Sequence, residues 1–143
     1  MFATTTPRTG NRAMGVALTV VIVGLALSTG YIHSTLGGLL FTLNAVGYAG
    51  LAALYVVGAV APLPIVQRFS WFPRVALAGY AATTIVAWAL QGPYYSTAFI
   101  AKGIEVVLIT LIAVDVLRVF GSPAAMVRTA FASVFGSPAA QAA

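Results

Sequence analysis

The chain has 143 residues, of which 61% are hydrophobic and only 6% are charged: seven Lys or Arg and two Asp or Glu. A soluble domain carries about 25% charged residues to cover its surface, so this composition argues against a water-soluble protein and predicts an all-α integral membrane protein. The formal net charge of +5 does not indicate nucleic-acid binding, because the basic residues are scattered singly and form no basic stripe.

The same composition narrows the chemistry that the chain can perform. It contains no cysteine, which excludes disulfides, thiolate catalysis and thiol-ligated metals. With one histidine, a single chain cannot supply two imidazole ligands to a haem, and His33, Tyr48 and Trp88 do not complete a quinone or haem site. No arrangement of nucleophile, base and orienting group is visible. We therefore expect a non-catalytic protein, with no metal and no cofactor.

The first apolar segment follows a polar N-terminal tail. Residues 1–12 are Thr-rich and broken by Pro7 and Gly10, which predicts a disordered tail. Residues 13–31 are apolar over close to the ~20 residues that a membrane span needs. The basic residues before this segment and the small residues near its end also resemble a cleavable signal peptide. The run is long for such a peptide, so we favour a membrane span.

Three further apolar segments follow in the chain. A second span is predicted over 36–61, a third over 75–90 after a loop at 62–74 that is rich in proline and aromatic residues, and a fourth over 98–120. Short connections between consecutive spans predict antiparallel neighbours. Residues 13–120 therefore form one domain, an antiparallel bundle of four transmembrane helices.

The C-terminal segment, residues 121–143, contains a short repeat. The heptapeptide VFGSPAA begins at Val119 and again at Val134. Gly ends a helix, Ser caps the next one and Pro fills its first position. This pattern predicts a short helix over 123–135 on the inner membrane surface, followed by a tail.

The basic residues predict the orientation of the bundle. The connections at 30–35 and 91–97 contain no Lys or Arg, whereas both termini and the loop at 62–74 do. By the positive-inside rule both termini are cytoplasmic. The preference for Arg over Lys, with much Ala, Val and Gly, suggests a prokaryote, so we expect a multi-pass protein of the cytoplasmic (cell inner) membrane. The arginines concerned are Arg8, Arg12, Arg68, Arg74, Arg118 and Arg128.

Two stripes at helical spacing are predicted to face the bundle interior. The residues of the second-span stripe are His33, Gly37, Leu40, Asn44, Gly47, Leu51 and Tyr55, with Tyr48 on its edge. The residues of the third-span stripe are Tyr80, Thr84, Ala87 and Gln91.

The fourth span contains both acidic residues of the chain, Glu105 and Asp115. Glu105 lies ~12 Å below the outer end of this span and forms an i,i+3 pair with Lys102. This pair is either a buried ion pair that fixes helix register or a site for a polar ligand, ion or proton. Asp115 and Arg118 repeat the spacing near the inner surface. There we expect a structural ion pair whose arginine reaches the headgroups, so that loss of the Asp115 charge costs ~0–1 kcal/mol.

Two functional hypotheses remain. The first is an accessory subunit of a larger membrane complex or a homo-oligomer, whose partners are the lipid bilayer and other membrane subunits or itself, and no nucleic acid. The alternative is a small carrier or channel with a polar intramembrane site. The candidate residues of that site are Lys102, Glu105, Asn44, His33, Tyr48 and Gln91. His33 is also expected as an interfacial or capping residue.

Overall fold

A computed structural model describes residues 9–136, which are helical with no strand among them. The segments 1–8 and 137–143 of the predicted tails lie outside the described residues. Residues 9–12 of the predicted disordered tail are instead helical and form the first turn of α1. The helices are α1 Thr9–Thr35, α2 Leu39–Val60, α3 Pro64–Arg68, α4 Trp71–Gln91, α5 Ser96–Phe120 and α6 Pro123–Phe135.

The four long helices form an antiparallel bundle in which α1 and α4 each pack against both α2 and α5. Side-chain contacts establish the directions. Glu105, in the N-terminal half of α5, bonds to Thr29 near the C-terminus of α1 and to Thr84 in the C-terminal half of α4. Asp115, near the C-terminus of α5, instead bonds to Arg74 at the start of α4. We call the end that contains His33 the histidine end, and the opposite end, which contains Arg74, the arginine end.

The connection between α1 and α2 differs from the predicted turn at 30–35. α1 continues through Thr35, and the turn comprises Leu36, Gly37 and Gly38. Both glycines have positive φ, 73° and 87°, a conformation that side-chain-bearing residues rarely adopt. The prediction was wrong because Gly30 stays helical and packs closely against Tyr48, whereas the positive φ that ends the connection occurs at Gly37 and Gly38. His33 consequently belongs to α1.

The predicted loop at 62–74 is largely helical. It contains α3, and α4 begins at Trp71. Pro64 and Pro73 each lie in a first helical turn, where the missing proline N–H has no intrahelical partner to lose. The early start of α4 carries Arg74 into the bundle interior, where it is buried.

The C-terminal helix α6 begins and ends at the predicted residues. Gly121 ends α5 with a positive φ of 79°, and the Ser122 hydroxyl accepts a hydrogen bond from the Ala125 amide at 3.1 Å. α6 then folds back on the arginine end, where Ser133 accepts hydrogen bonds from Trp71 Nε1 to its hydroxyl and from Arg68 Nε to its carbonyl, both at 2.9 Å.

Polarity is inverted relative to a water-soluble bundle. Glu105 and Asp115 are 0% and 1% exposed, whereas large apolar side chains are exposed on all four long helices. Examples are Val20, Leu43, Leu90 and Ile100. By length and composition, two segments of the described chain qualify as membrane spans, Arg12–Thr35 and Leu39–Val60. Neither α4 nor α5 is among them, and α5 carries four charged side chains.

Candidate functional site

The Glu105 carboxylate is the centre of a buried polar cluster at the histidine end. Its Oε2 accepts hydrogen bonds from Lys102 Nζ at 2.7 Å and Thr84 Oγ1 at 2.8 Å. Its Oε1 accepts one from Thr29 Oγ1 at 3.0 Å. The one proton of the Thr84 hydroxyl is taken up by Glu105 Oε2 or by the Ala81 carbonyl oxygen at 2.9 Å, so the Tyr48 hydroxyl, 3.1 Å away, donates to Thr84. Two neighbouring helices, α1 and α4, therefore bond to this carboxylate directly, and α2 contributes through the hydrogen bond of Tyr48 to Thr84.

His33 lies beside this cluster. Its Nδ1 is 2.8 Å from the Thr29 carbonyl oxygen, which can only accept, so Nδ1 carries a proton. Its Nε2 is 4.0 Å from Glu105 Oε1, beyond hydrogen-bond distance. The ring packs against Tyr48 and Phe41, with centroids 5.8 and 6.2 Å away. His33 is buried inside the bundle. It is therefore not the interfacial residue that the sequence suggested.

A cavity of about 320 Å³ adjoins the cluster. It lies between α2, α4 and α5 at the histidine end, with His33 of α1 also in its wall, which is mostly apolar. The polar and charged side chains in the wall are His33, Asn44, Tyr80, Thr83, Thr84, Trp88, Gln91, Tyr95 and Lys102. Four of the six predicted ligand-site residues thus line one cavity, while Glu105 and Tyr48 lie behind its wall.

Asn44 is the one residue in this wall with an unsatisfied buried atom. Its Oδ1 is fully buried and has no hydrogen-bond donor among the described residues. Its backbone carbonyl accepts a long hydrogen bond, 3.3 Å, from the Tyr80 hydroxyl. Buried acceptors without donors are rare in folded proteins, and this oxygen is sealed from the cavity by the atoms around it.

The predicted inward stripes are only partly packed. On α2 the buried residues are Tyr48, Ala52, Tyr55 and Gly58, whereas Leu40 is 77% exposed. On α4, Ala87 and Gln91 are also exposed. The stripes fail to pack at the histidine end because the cavity separates α2 from α4 there. The two helices touch instead where Gly47 meets the Tyr80 hydroxyl, a place with no room for a β-carbon.

A second buried cluster surrounds Asp115 at the arginine end. Oδ1 accepts hydrogen bonds from Arg118 Nε and Nη2 at 3.0 and 2.7 Å. Oδ2 accepts from Arg74 Nε at 2.8 Å and from the Tyr55 hydroxyl at 2.7 Å. Arg118 and Asp115 are paired at 2.7 Å, at the spacing that the sequence suggested. Asp115 is buried, and the Arg118 guanidinium also packs against Gly15 of α1.

An apolar layer separates the two clusters. Glu105 and Asp115 are ten residues apart, about 15 Å along α5. The buried side chains between them are Ile22, Ala26, Ala52, Leu77, Ala81, Leu108 and Ile112. The described residues of one chain therefore provide no continuous polar path between the ends.

The sequence-based argument missed Thr29 and Arg74 as members of these clusters. Thr29 lies one turn before His33 on α1, and this i,i+4 spacing was the available signal. Arg74 was assigned to a loop because three prolines and an aromatic run precede it. No group of three or more potential metal-ligating residues occurs in the described part of the chain.

Comparisons of this chain with protein-family models, curated proteins and solved structures found no match. Its function is therefore inferred from the geometry of the cavity and the two clusters.

Proposed function

We propose that the chain is a small integral membrane protein with four spans, which binds a small molecule in the cavity at its histidine end. The inverted polarity supports the membrane location, because exposed leucines and valines surround buried carboxylates and their partners. The charges of α4 and α5 are compatible with spans because Arg74, Lys102, Glu105 and Asp115 are paired inside the bundle. Intramembrane ionisable groups are tolerated in that arrangement.

The arginines support an orientation with both termini cytoplasmic. Every arginine of the described residues lies at the arginine end or on α6, and by the positive-inside rule that end faces the cytoplasm. α6 has exposed Val127 and Phe131 together with exposed Arg128. This combination suits a helix that lies on the inner membrane surface.

Cysteine labelling tests this topology, since the native chain has no cysteine. Ser34→Cys and Thr97→Cys are exposed at the histidine end, and Leu63→Cys and Thr129→Cys at the arginine end. We expect an impermeant maleimide to label only the first two on intact cells and all four after permeabilisation. Labelling of Leu63→Cys or Thr129→Cys on intact cells would refute the four-span topology.

One observation carries the ligand-binding proposal: Lys102, paired with the buried Glu105, lines a cavity of about 320 Å³. A pair that only fixes helix register needs no such space beside it, and a purely structural cavity is normally apolar. The apolar layer beneath the cavity favours a binding site, open to one side, over a channel through a single chain. A carrier would have to move its helices to open the other side.

A cavity-filling variant tests the binding site. Ala87→Trp places an indole in the cavity wall, and Ala82→Trp places it on the outer face of the same helix, away from the cavity. We expect the aromatic probe 4-hexylphenol to bind saturably to wild-type protein and to Ala82→Trp in nanodiscs, measured by equilibrium dialysis, but not to Ala87→Trp. Equal uptake by all three proteins, as in partition into lipid, would refute the proposal.

The second candidate, an accessory subunit or homo-oligomer, is favoured by a different observation. Each long helix has one glycine with no atom within 4 Å of where a β-carbon would lie. These glycines are Gly24, Gly50, Gly79 and Gly103. Outward-facing small residues let helices of neighbouring subunits approach closely in lipid.

Oligomeric state decides this candidate. We expect Gly50→Leu and Gly79→Leu to reduce crosslinked dimers or larger species in native membranes, whereas the conservative control Val46→Leu leaves them unchanged. Wild-type protein that crosslinks to neither itself nor another membrane protein would reject this candidate.

A further inference from the structure

We propose that the surface where α1 meets α5, at the arginine end, binds the phosphate group of an anionic phospholipid between the guanidinium groups of Arg118 and Arg12. This inference rests on the membrane location proposed above and is independent of any ligand in the cavity. It follows from the charge balance around Asp115, from the depth of the two arginines and from the apolar surface beside them.

The Asp115 cluster contains more positive than negative charge. Arg74 and Arg118 both pair with the one carboxylate, at 2.8 and 2.7 Å, and the Tyr55 hydroxyl bonds to the same oxygen as Arg74. The other acidic residue of the chain, Glu105, belongs to the cluster at the histidine end. One guanidinium charge of the Asp115 cluster is therefore not balanced by any acidic side chain of this protein, which is costly at the edge of a bilayer.

Arg118 is the arginine of this cluster that an external anion can approach. Its side chain is 24% exposed, whereas that of Arg74 is 4% exposed. Arg118 bonds to Asp115 through Nε and Nη2, and its Nη1 has no hydrogen-bond acceptor among the described residues. Nη1 lies against α1, 3.0 Å from where a β-carbon of Gly15 would be. The unbalanced charge is thus located where α1 meets α5.

Arg12 brings a second guanidinium to this surface. It lies three residues before Gly15 on α1, and residues at this spacing are neighbours on a helix surface. Arg12 is exposed and forms no ion pair with the described residues. Guanidinium groups form paired hydrogen bonds with phosphate oxygens, so a phosphate between Arg12 and Arg118 compensates two charges that otherwise repel each other.

The depth of both arginines corresponds to that of lipid phosphates. At 1.5 Å per residue, Arg118 lies about 33 Å along α5 from Ser96, and Arg12 lies about 35 Å along α1 from Thr35. The hydrocarbon core of a bilayer is about 30 Å thick. Both guanidiniums therefore lie at the level of the headgroups when the histidine end lies at the opposite interface.

The neighbouring surface fits acyl chains, which favours a lipid over a soluble anion. A groove on α1 is lined by Arg12 together with Ala13, Val16 and Ala17, and Val16 on α1 and Leu117 on α5 are exposed. A zwitterionic lipid brings its own cation with its phosphate and leaves the surplus charge unbalanced. An anionic headgroup balances it, and each arginine near an anionic membrane surface strengthens binding about fivefold.

Native mass spectrometry tests this site on protein released from nanodiscs with equal amounts of phosphatidylglycerol and phosphatidylcholine. We expect wild-type protein to retain phosphatidylglycerol with a preference of at least about tenfold, and Arg12→Gln and Arg118→Met each to lower this preference about fivefold. The matched control Arg128→Gln removes the same charge from the exposed face of α6. It should change the preference by less than about twofold, because salt screens exposed charges outside the site.

Thermal unfolding distinguishes lipid binding from an effect on folding. Asp115 keeps Arg74 and Tyr55 as partners in Arg118→Met, and Arg12 lies outside the cluster. We expect phosphatidylglycerol to raise the melting temperature of wild-type protein by at least about 3 °C relative to phosphatidylcholine, and that of either variant by less than about 1 °C. A full shift that persists in both variants would refute the site.

Other outcomes would also overturn the inference, and they are distinguishable from failure of the membrane location. Protein that enters nanodiscs but shows no lipid preference would overturn this inference alone, whereas protein that enters neither lipid would overturn the membrane location itself. Inorganic phosphate that gives the same stabilisation in phosphatidylcholine nanodiscs would identify a soluble anion instead of a lipid. Displacement of phosphatidylglycerol by polyglutamate would identify an acidic protein partner instead.

Discussion

Separating Lys102 from Glu105 is the most informative perturbation of this structure. Glu105 is fully buried and Lys102 nearly so. Removal of one partner from a buried ion pair costs roughly 3–5 kcal/mol, because the survivor is left uncompensated in a medium of low dielectric constant. We expect a loss of this size in the free energy of unfolding for Lys102→Met and for Glu105→Leu.

The two single losses should not add in the double variant. Lys102→Met with Glu105→Leu leaves no buried charge at the histidine end, and apolar replacements of a buried pair are often neutral or stabilising. The Thr29 and Thr84 hydroxyls that lose the carboxylate can bond to carbonyls of the preceding helical turn. We expect the double variant to unfold within ~1 kcal/mol of wild type, which corresponds to a coupling energy of at least ~3 kcal/mol.

Equilibrium unfolding of the four proteins in one detergent measures this cycle. Thr110→Val serves as the control on the same helix, because Thr110 is exposed and bonds only to the carbonyl of Val106; it should stay within ±0.5 kcal/mol, about the range of surface substitutions. Single variants as stable as wild type would show that the pair is hydrated and that α5 does not pack against α1 and α4 as described. Binding of 4-hexylphenol separates the roles: a folded double variant that loses binding assigns the pair to the ligand site, and one that keeps binding makes it structural.

Three further predictions concern other parts of the molecule. Asp115→Asn keeps the side-chain shape but leaves two arginines without their counter-charge, so the free energy of unfolding should fall by roughly 3–5 kcal/mol. A loss below ~1 kcal/mol would instead agree with the small cost predicted from the sequence. Gly47→Ala should lower the free energy of unfolding by about 1–3 kcal/mol, because the new methyl group overlaps with Tyr80. Gly24→Ala, with open space around it, should be neutral or stabilising by up to ~1 kcal/mol. Equal effects of the two variants on thermal unfolding would contradict the close approach of Gly47 to Tyr80. Ser122→Ala should cost ~1 kcal/mol in local stability of α6 and speed its hydrogen exchange, while Ser122→Asp should retain protection; identical exchange in both variants would exclude the cap.

Several features of this protein follow from local sequence alone. α6 has its predicted bounds because Gly121, Ser122 and Pro123 act on the backbone within one turn, independently of the rest of the chain. The Lys102 to Glu105 spacing likewise places both side chains on one helix face whatever packs against it. The distribution of arginines among the connections is also a property of the sequence, and it predicts an orientation without reference to packing.

Other features depend on how neighbouring helices are rotated and shifted against one another. Nothing near Glu105 in the sequence indicates Thr29, 76 residues earlier, or shows that Arg74 reaches Asp115 from the start of α4. The predicted inward stripe of α2 is buried at Tyr55 but exposed at Leu40. Helical spacing predicts which residues share a face, but it does not predict whether a neighbouring helix covers that face. The close contact of Gly47 with Tyr80 holds α2 and α4 together at one level, and the cavity lies beyond it. Its shape is set at once by side chains of α1, α2, α4 and α5, so it is decided only when the bundle is assembled.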